Sequence, residues 1–205
     1  RLGPHGCCRQ KEGHAAACTQ GDFRKHVGGL SYLCRAWGVD PACEQVQRIA
    51  RALGADVPFF LYDSPSFMDG AGDTFVEAYP ASDDLHVVLV KPLEGGVSAA
   101  DAYRRFDEML PVAAGTAPLR AALASGDGYR VAANISNNLA PVAIDLVPEI
   151  GRVVGWLRMQ TGVLAAQVTG SGACSFALCD SAEAAPTAGP WWACAAKMES
   201  RGLVL

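Results

Sequence analysis

The sequence lacks both a long hydrophobic run and a marked excess of charge of one sign. Its apolar stretches are interrupted by Pro, Gly or charged residues well before the roughly 18 to 20 residues that a membrane-spanning helix needs. Charged residues make up 19% of the 205 residues, and the formal net charge is only -4. Neither nucleic acid, which selects strongly basic surfaces, nor a membrane is therefore expected as a partner.

A secretory signal and paired zinc-binding cysteines are also missing from the N-terminal part. The first residues carry charged side chains and no apolar central run, so we expect a cytoplasmic protein. Cys7, Cys8 and Cys18 lie near His14 in sequence, but the CxxC pairs typical of a zinc site are absent. We therefore predict reduced thiols, a poorly ordered segment at residues 1–30, and no metal site.

Half of the residues are hydrophobic, which is typical of a globular protein with a sizeable core. Helical periodicity begins at Leu30, where Leu33, Cys34 and Trp37 fall on the same face. A second helix is predicted from an apolar stripe that ends at Gly54. That stripe comprises Val46, Ile49, Ala50 and Leu53. The apolar segment 57–63 that follows predicts a buried strand.

The second part of the chain alternates helical and β-prone segments. The predicted strands are residues 74–78, 86–90, 163–168 and 174–179, and the predicted helices are residues 99–110, 118–124 and one beginning at Pro148. Since the strands are few and their spacing is irregular, the fold class is predicted as α+β rather than doubly wound α/β. A boundary near residue 82 divides the chain into residues 1–82 and 83–205.

Asp56 is the first candidate for chemistry, because it follows a helix stop and lies inside an apolar run, LGADVPFF. An unpaired carboxylate in such a run would need a partner or a shifted pKa, which suits a general base. The ordinary alternative is an Asp that only ties its loop to a backbone amide.

The second candidate is the small-residue turn TGSGA at residues 169–173, between two predicted strands. Gly170, Ser171 and Gly172 would let a phosphate approach the backbone closely. A strand follows the turn instead of a helix, and no Lys-Ser or Lys-Thr pair is present, so neither a Rossmann fingerprint nor a P-loop fits. A plain hairpin turn is the alternative.

Several other polar residues have an ordinary structural interpretation. Ser98, with Asp101 three residues later, resembles a capping box, and Asn134, Asn137 and Asn138 are interpreted as caps near helix starts. The run MDGAGD at residues 68–73 is predicted as a turn first and a site second.

Taken in order, five segments resemble the 4-diphosphocytidyl-2-C-methyl-D-erythritol kinases, a family within the GHMP kinase superfamily. These segments are LGADVPFFLYD, DGAGD, VLVKPLEGGVSAADAYRRFD, NNLAPVAIDLVPEIGRVVGWL and VTGSGACSFAL. The resemblance covers about residues 30–180. It implies a GHMP kinase fold, with a partial N-terminal ATP-binding domain at residues 1–82 and a ferredoxin-like C-terminal domain at residues 83–205.

The resemblance also implies an activity and its participants. The expected reaction transfers the γ-phosphate of ATP, with Mg2+, to a hydroxyl of 4-diphosphocytidyl-2-C-methyl-D-erythritol in non-mevalonate isoprenoid precursor biosynthesis. Asp56 matches the catalytic aspartate of the family. Gly170, Ser171 and Gly172 match a glycine motif near the substrate phosphates, and Ser98 lies where the family places residues near the substrate.

Three departures from the family qualify this expectation. The motif with the catalytic lysine would precede residue 1, and the positions expected for the phosphate-binding loop read EGHAAACTQGDFR, without its glycines and serines. The pattern is also lost after Asp180. We therefore expect an N-terminally truncated or frame-shifted chain of impaired activity. The alternatives are a non-catalytic fragment or binding module of the same fold, and another GHMP small-molecule kinase.

Overall fold

The computed structural model describes residues 20–62, 64–80, 85–184 and 190–197. These residues form two compact units, one before residue 81 and the other after residue 84, so the predicted boundary lies outside the described residues. The elements of the first unit are α1 (Gln20–Trp37), α2 (Glu44–Leu53), β1 (Ser66–Asp69) and β2 (Thr74–Ala78). Those of the second are β3 (His86–Lys91), α3 (Ala99–Met109), α4 (Ala117–Ser125), α5 (Gly128–Asn134), α6 (Ala140–Leu146), α7 (Pro148–Arg158), β4 (Val163–Val168), β5 (Ser175–Cys179) and β6 (Trp192–Lys197).

α1 and α2 belong to the small apolar core of the first unit. Its buried side chains are Val27, Leu30, Cys34, Val46, Ala50, Val57 and Leu61. The predicted lack of structure in residues 1–30 is wrong for residues 20–30, which are helical, while residues 1–19 lie outside the described residues. Leu33 and Trp37, predicted to face inward, are exposed. Leu33 is out of phase with the stripe formed by Val27, Leu30 and Cys34, and Trp37 is the last residue of the helix.

The second helix ends at Gly54 as predicted, with its amide donating to Ala50 O at 3.1 Å. One side chain of the predicted stripe is misplaced, because Ile49 is 48% exposed and Gln47 is buried instead. The side-chain amide of Gln47 donates to Pro41 O at 2.8 Å, so its burial leaves that donor paired.

The predicted buried strand at residues 57–63 is wrong. A turn of 3-10 helix occupies Phe59–Leu61, and the amide of Leu61 donates to Pro58 O at 3.2 Å. Pro58 has helical dihedral angles, φ -54 and ψ -42. Val57 and Leu61 are buried, whereas Phe59 and Phe60 are 37% and 42% exposed. The strand prediction failed because an apolar run of this length is compatible with either conformation.

A β-hairpin completes the first unit. β2 has the predicted bounds and pairs antiparallel with β1, a strand that was not predicted from the sequence. Between the strands, Gly70 and Gly72 have φ values of 73 and 84, a region that favours glycine. The turn predicted at residues 68–73 is therefore confirmed for residues 70–73, whereas Met68 and Asp69 are the last residues of β1.

The second unit contains a four-stranded antiparallel sheet in the order β4-β5-β3-β6. Strands that are distant in sequence are neighbours, which is the split arrangement of a ferredoxin-like domain. This sheet and the helices around it confirm the predicted α+β class. β6 was not predicted, because its alternation of small residues and Cys after two Trp residues carries little β signal.

Helices cover both faces of this sheet. α7 buries Ile150, Val153, Val154 and Leu157 against one face, as its spacing predicts. On the other face, Ala132 of α5 packs in a cluster with Leu85 and Leu178. A register shift between Val163 and Ala165 places Leu164 and Ala165 together in that second cluster.

The predicted helix at residues 99–110 is confirmed as α3. Ser98 is its N-cap, and its hydroxyl accepts a hydrogen bond from the amide of Asp101 at 3.5 Å. The helix ends at Met109, and Leu110 adopts a left-handed conformation with φ 47. Among the described residues, no helix combines the length and the apolar character that crossing a bilayer requires.

Candidate functional site

The small-residue turn lies between β4 and β5 and is closed by two backbone hydrogen bonds. The amide of Thr169 donates to Cys174 O at 2.9 Å, and the amide of Gly172 donates to Thr169 O at 3.1 Å. Gly170 has φ 56 and Gly172 has φ 93, so the turn depends on glycine at both positions. The sequence predicted this turn and its position between two strands correctly.

The two glycines of the turn have opposite surroundings. A Cβ atom on Gly172 would lie 3.2 Å from Ile150 Cδ1, 3.3 Å from Ala143 Cβ and 3.4 Å from Val97 Cγ2. A Cβ atom on Gly170 would meet no atom of the described chain within 4 Å. One end of the turn is therefore packed into the second unit, whereas the other end is open to an approaching ligand.

Asn137 holds this turn from the loop before α6. Its side-chain amide nitrogen donates to Val168 O and to Gly170 O, each at 2.8 Å. Its side-chain oxygen accepts from the amide of Leu139 at 2.9 Å. The predicted cap near a helix start is thus one part of its bonding. The contact with the turn was missed, because a sequence does not reveal pairing across 31 and 33 residues.

The other predicted caps differ from one another. Asn138 accepts a hydrogen bond from the amide of Ala114 at 2.9 Å and so fixes a loop rather than a helix. Asn134 is the last residue of α5, not near its start, and donates to Arg130 O at 2.8 Å. Neither residue has a contact with the turn at residues 169–173 among the hydrogen bonds of the described residues.

Ser98 belongs to the same region of the second unit as the turn. Its neighbour Val97 is one of the three side chains around Gly172. The exposed Ser98 hydroxyl is already engaged as the cap of α3. The structure therefore places four of the predicted site residues, Ser98 and Gly170 to Gly172, in one unit and one neighbourhood.

Asp56 lies in the first unit and is exposed, so the buried environment expected for it is wrong. The chain turns directly after α2, where the amide of Val57 donates to Gly54 O at 3.2 Å. Val57 and Pro58 enter the core, and Asp56 remains on the solvent side. Within the described residues, the Asp56 carboxylate makes no hydrogen bond, so the loop-tying alternative is not observed either.

The carboxylates in the loop of the β1–β2 hairpin accept hydrogen bonds from neighbouring residues. The carboxylate of Asp69 accepts from the amide of Gly70 at 2.8 Å. Asp73 Oδ1 accepts from the amide of Ala71 at 3.1 Å and from the hydroxyl of Thr74 at 3.4 Å. Both carboxylates therefore stabilise the turn. No group of three or more His, Cys, Asp or Glu side chains that could hold a metal ion occurs in the part of the chain that the structure describes.

A second feature beside the turn was not predicted. Lys91 pairs with Trp192 at the end of β3, and an open cavity of about 320 Å³ is lined by Lys91, Leu93 and Trp192. Cys174, at the exit of the turn, is close enough to Lys91 to interact electrostatically. Burial raises the pKa of the Cys174 thiol, and the positive charge of Lys91 partly offsets that increase.

Comparison with known proteins gives this geometry a family context. Residues 119–189 match the sequence profile described as GHMP kinases C terminal. The chain is 32% identical to a 4-diphosphocytidyl-2-C-methyl-D-erythritol kinase of Nocardioides sp. over 189 residues, which covers 87% of this chain and 63% of the relative. It is 35% identical to the kinase of that name from Hyphomonas neptunium over 201 residues, covering 89% and 64%, respectively.

Two solved kinase structures have a fold similar to that of this chain. The fold is similar to that of a 4-(cytidine 5'-diphospho)-2C-methyl-D-erythritol kinase, with a TM-score of 0.60 and 26% identity over 85% of this chain and 62% of that one. It is also similar to homoserine kinase from Cytophaga hutchinsonii, with a TM-score of 0.59 and 19% identity over 85% and 60% of the two chains. The second likeness concerns the fold alone. The chain spans about half to two thirds of the length of the curated relatives that it matches.

Proposed function

Because this chain carries the C-terminal domain of the GHMP kinases and is related to 4-diphosphocytidyl-2-C-methyl-D-erythritol kinases, we propose that it serves the same phosphoryl transfer. The proposed reaction moves the γ-phosphate of ATP to a hydroxyl of 4-diphosphocytidyl-2-C-methyl-D-erythritol, a step of non-mevalonate isoprenoid precursor biosynthesis. The observation that carries this proposal is the open side of the turn at Gly170, in a chain similar to kinases of that name.

The turn suits a phosphate-bearing substrate on steric and electrostatic grounds. Gly170 leaves room above the backbone, and the hydroxyl of Ser171 has no hydrogen-bond partner among the described residues. Backbone amides in such turns attract anions, and a hydroxyl donor adds a further hydrogen bond. Gly170, Ser171 and Gly172 are therefore proposed as substrate-binding residues. Ser98 is proposed as a fourth, because it follows Val97, one of the side chains around Gly172.

Asp56 is proposed as the residue that accepts or orients the proton of the attacking hydroxyl. In the transfer, the hydroxyl oxygen forms a bond to the γ-phosphorus as the bond to the bridging oxygen of ADP breaks. The hydroxyl proton passes to the Asp56 carboxylate, so the products are ADP and a phosphate monoester. An exposed carboxylate with no hydrogen bond to another described residue is free to accept that proton.

ATP is proposed as the phosphate donor from the family relationship. Residues 12–24, where the resemblance to the family implies the phosphate-binding loop, lie mainly outside the described residues. The described residues offer no cluster suited to a resident metal ion. Mg2+ is accordingly proposed only as the companion of ATP, and a cytoplasmic location stays a prediction of the sequence.

A coupled assay of ADP release, with mass spectrometry of the product, tests this function. We expect slow turnover, as the departures of the sequence from the family predict, that requires both ATP and the cytidine-linked substrate, and a further loss of kcat of at least about 100-fold for Asp56→Asn. Asp69→Asn is the matched control, because an exposed Asp of the same unit is changed and its side-chain oxygen can still accept from Gly70.

The two alternatives give different results in the same experiment. A non-catalytic binding module would bind the cytidine-linked substrate in calorimetry without releasing ADP. Another GHMP kinase would release ADP with a different alcohol in a substrate panel that includes homoserine. No ADP release from wild-type protein with the cytidine-linked substrate would contradict the proposed function.

A further inference from the structure

Asn137 bonds to the turn in a way that a simple helix cap does not require. Its side chain meets two carbonyl oxygens, of Val168 and Gly170, and one amide, of Leu139. Carbonyls accept only and the amide donates only, so these three partners determine which end of the Asn137 side chain points each way. Both side-chain donors are used on the turn, and the oxygen is used on the loop before α6.

The two carbonyls lie on either side of Thr169. A single side chain therefore fixes the end of β4 and the second residue of the turn at the same time. The far end of the turn is fixed separately, by the packing of Gly172 against Val97, Ala143 and Ile150. Between these two anchors the backbone of Gly170 and Ser171 remains open on its outer side.

We propose that Asn137 is a positioning residue that holds the turn at residues 169–173 in a single shape through its two donated hydrogen bonds. It does not need to touch the substrate. Its relevance to phosphoryl transfer rests on the proposed function, in which this turn receives the substrate phosphates. A turn with fixed amides stabilises a bound anion without having to be ordered at the moment of reaction.

Substitutions by Asp separate this role from capping. In Asn137→Asp, the carboxylate still accepts from Leu139, but it has no proton to donate to Val168 O and Gly170 O. Asn138→Asp is the matched control, because within the described residues the Asn138 side chain acts only as an acceptor, from the amide of Ala114. Asn137→Ala removes the same two donors without adding a negative charge.

Amide hydrogen exchange measured by mass spectrometry reports on the turn without any ligand. For Asn137→Asp and Asn137→Ala, we expect exchange in peptides covering residues 169–174 to accelerate by about tenfold or more, as expected for lost hydrogen bonds. Peptides from α7 should keep the exchange of the wild type. Asn138→Asp should leave residues 169–174 unchanged.

Kinetics connects the turn to the reaction. We expect kcat/KM for the cytidine-linked substrate to fall at least about tenfold for both Asn137 variants and to stay at the wild-type value for Asn138→Asp. Unchanged exchange of residues 169–174 in Asn137→Asp would overturn the proposal, as would acceleration spread evenly over the second unit. If the wild-type chain has no turnover, the proposed function fails, and the exchange measurements still decide the role of Asn137.

Discussion

Gly172 lies directly against Ile150, so that a Cβ atom at residue 172 would be 3.2 Å from the Cδ1 atom of that side chain. Ile150 is fully buried in α7 and belongs to the main core of the second unit. The turn that we propose as a substrate site is thus seated on the core. Its position depends on the absence of a side chain at residue 172.

The two glycines of the turn should respond differently to substitution. We expect Gly172→Ala to lower the free energy of unfolding by about 2 kcal/mol or more, because it combines φ 93 with crowding by Ile150, Ala143 and Val97. Gly170→Ala, with φ 56 and no neighbour, should cost only about 1 kcal/mol. Urea denaturation, followed by fluorescence of Trp156 and Trp191 in the same unit, measures both.

Ligand binding should show the reverse order for these two variants. A methyl group on residue 170 would stand on the open side of the turn, so Gly170→Ala should weaken binding of the cytidine-linked substrate in calorimetry although it loses less stability than Gly172→Ala. Equal stability losses in the two variants would contradict the packing of Gly172. Normal substrate affinity in Gly170→Ala would count against the open side as the binding surface.

Ser175 should be replaceable with a gain in stability. Its side chain is fully buried at the start of β5, and its hydroxyl has no hydrogen-bond partner among the described residues. Because a buried hydroxyl without a partner is unfavourable, we expect Ser175→Ala to raise the free energy of unfolding by about 1 kcal/mol. The measurement is the shift in urea midpoint.

Ser181→Ala is the matched control for that gain. Its hydroxyl accepts a hydrogen bond from the amide of Ala184 at 3.2 Å, so the same chemical change should be neutral or destabilising there. A lower urea midpoint for Ser175→Ala would indicate that its hydroxyl has a partner after all.

Much of the second unit could be predicted from sequence, because its elements have one clearly apolar face. α7 was predicted correctly from the spacing of Ile150, Val153, Val154 and Leu157, and β4 has the bounds that its β-prone run indicated. The first unit was harder. The apolar run after Gly54 does not distinguish a strand from a turn of 3-10 helix, and the conformation was decided by Pro58 and the backbone bonds around it.

The candidate site was predictable only in part. Gly170 and Gly172 signal a turn by residue type, since few other residues adopt positive φ. Asp56 was expected to be buried because its neighbours are apolar, yet it lies in the turn after α2 and is exposed. The link from Asn137 to the turn depends on tertiary packing, and no local pattern encodes it.

Asp127 should stabilise α5 as its N-cap. Its Oδ1 accepts hydrogen bonds from the amides of Tyr129 at 2.9 Å and Arg130 at 3.1 Å. We expect Asp127→Ala to cost about 1 kcal/mol, because both amides lose this acceptor, and Asp127→Asn to stay close to wild type, because Asn caps equally well. Urea denaturation compares the two variants, and equal losses would mean that charge rather than capping matters at this position.

The pH dependence of Cys174 alkylation should depend on the positive charge of Lys91. Burial disfavours the charged thiolate and therefore raises the pKa of Cys174, while the nearby ammonium of Lys91 favours the thiolate and lowers it. Since the thiolate is the form that alkylates, the rate for Cys174 should keep rising with pH beyond the range of an ordinary cysteine. Lys91→Met removes the favourable charge, so the rate profile should move to still higher pH.

Iodoacetamide labelling, with the modified peptides resolved by mass spectrometry, follows Cys174 separately from the other cysteines. Lys197→Met is the control, because it removes a lysine from β6, a strand that also pairs with β3. The control should leave the Cys174 profile unchanged. Faster labelling of Cys174 in Lys91→Met, or the same shift in both variants, would contradict a direct electrostatic effect of Lys91 at the exit of the turn.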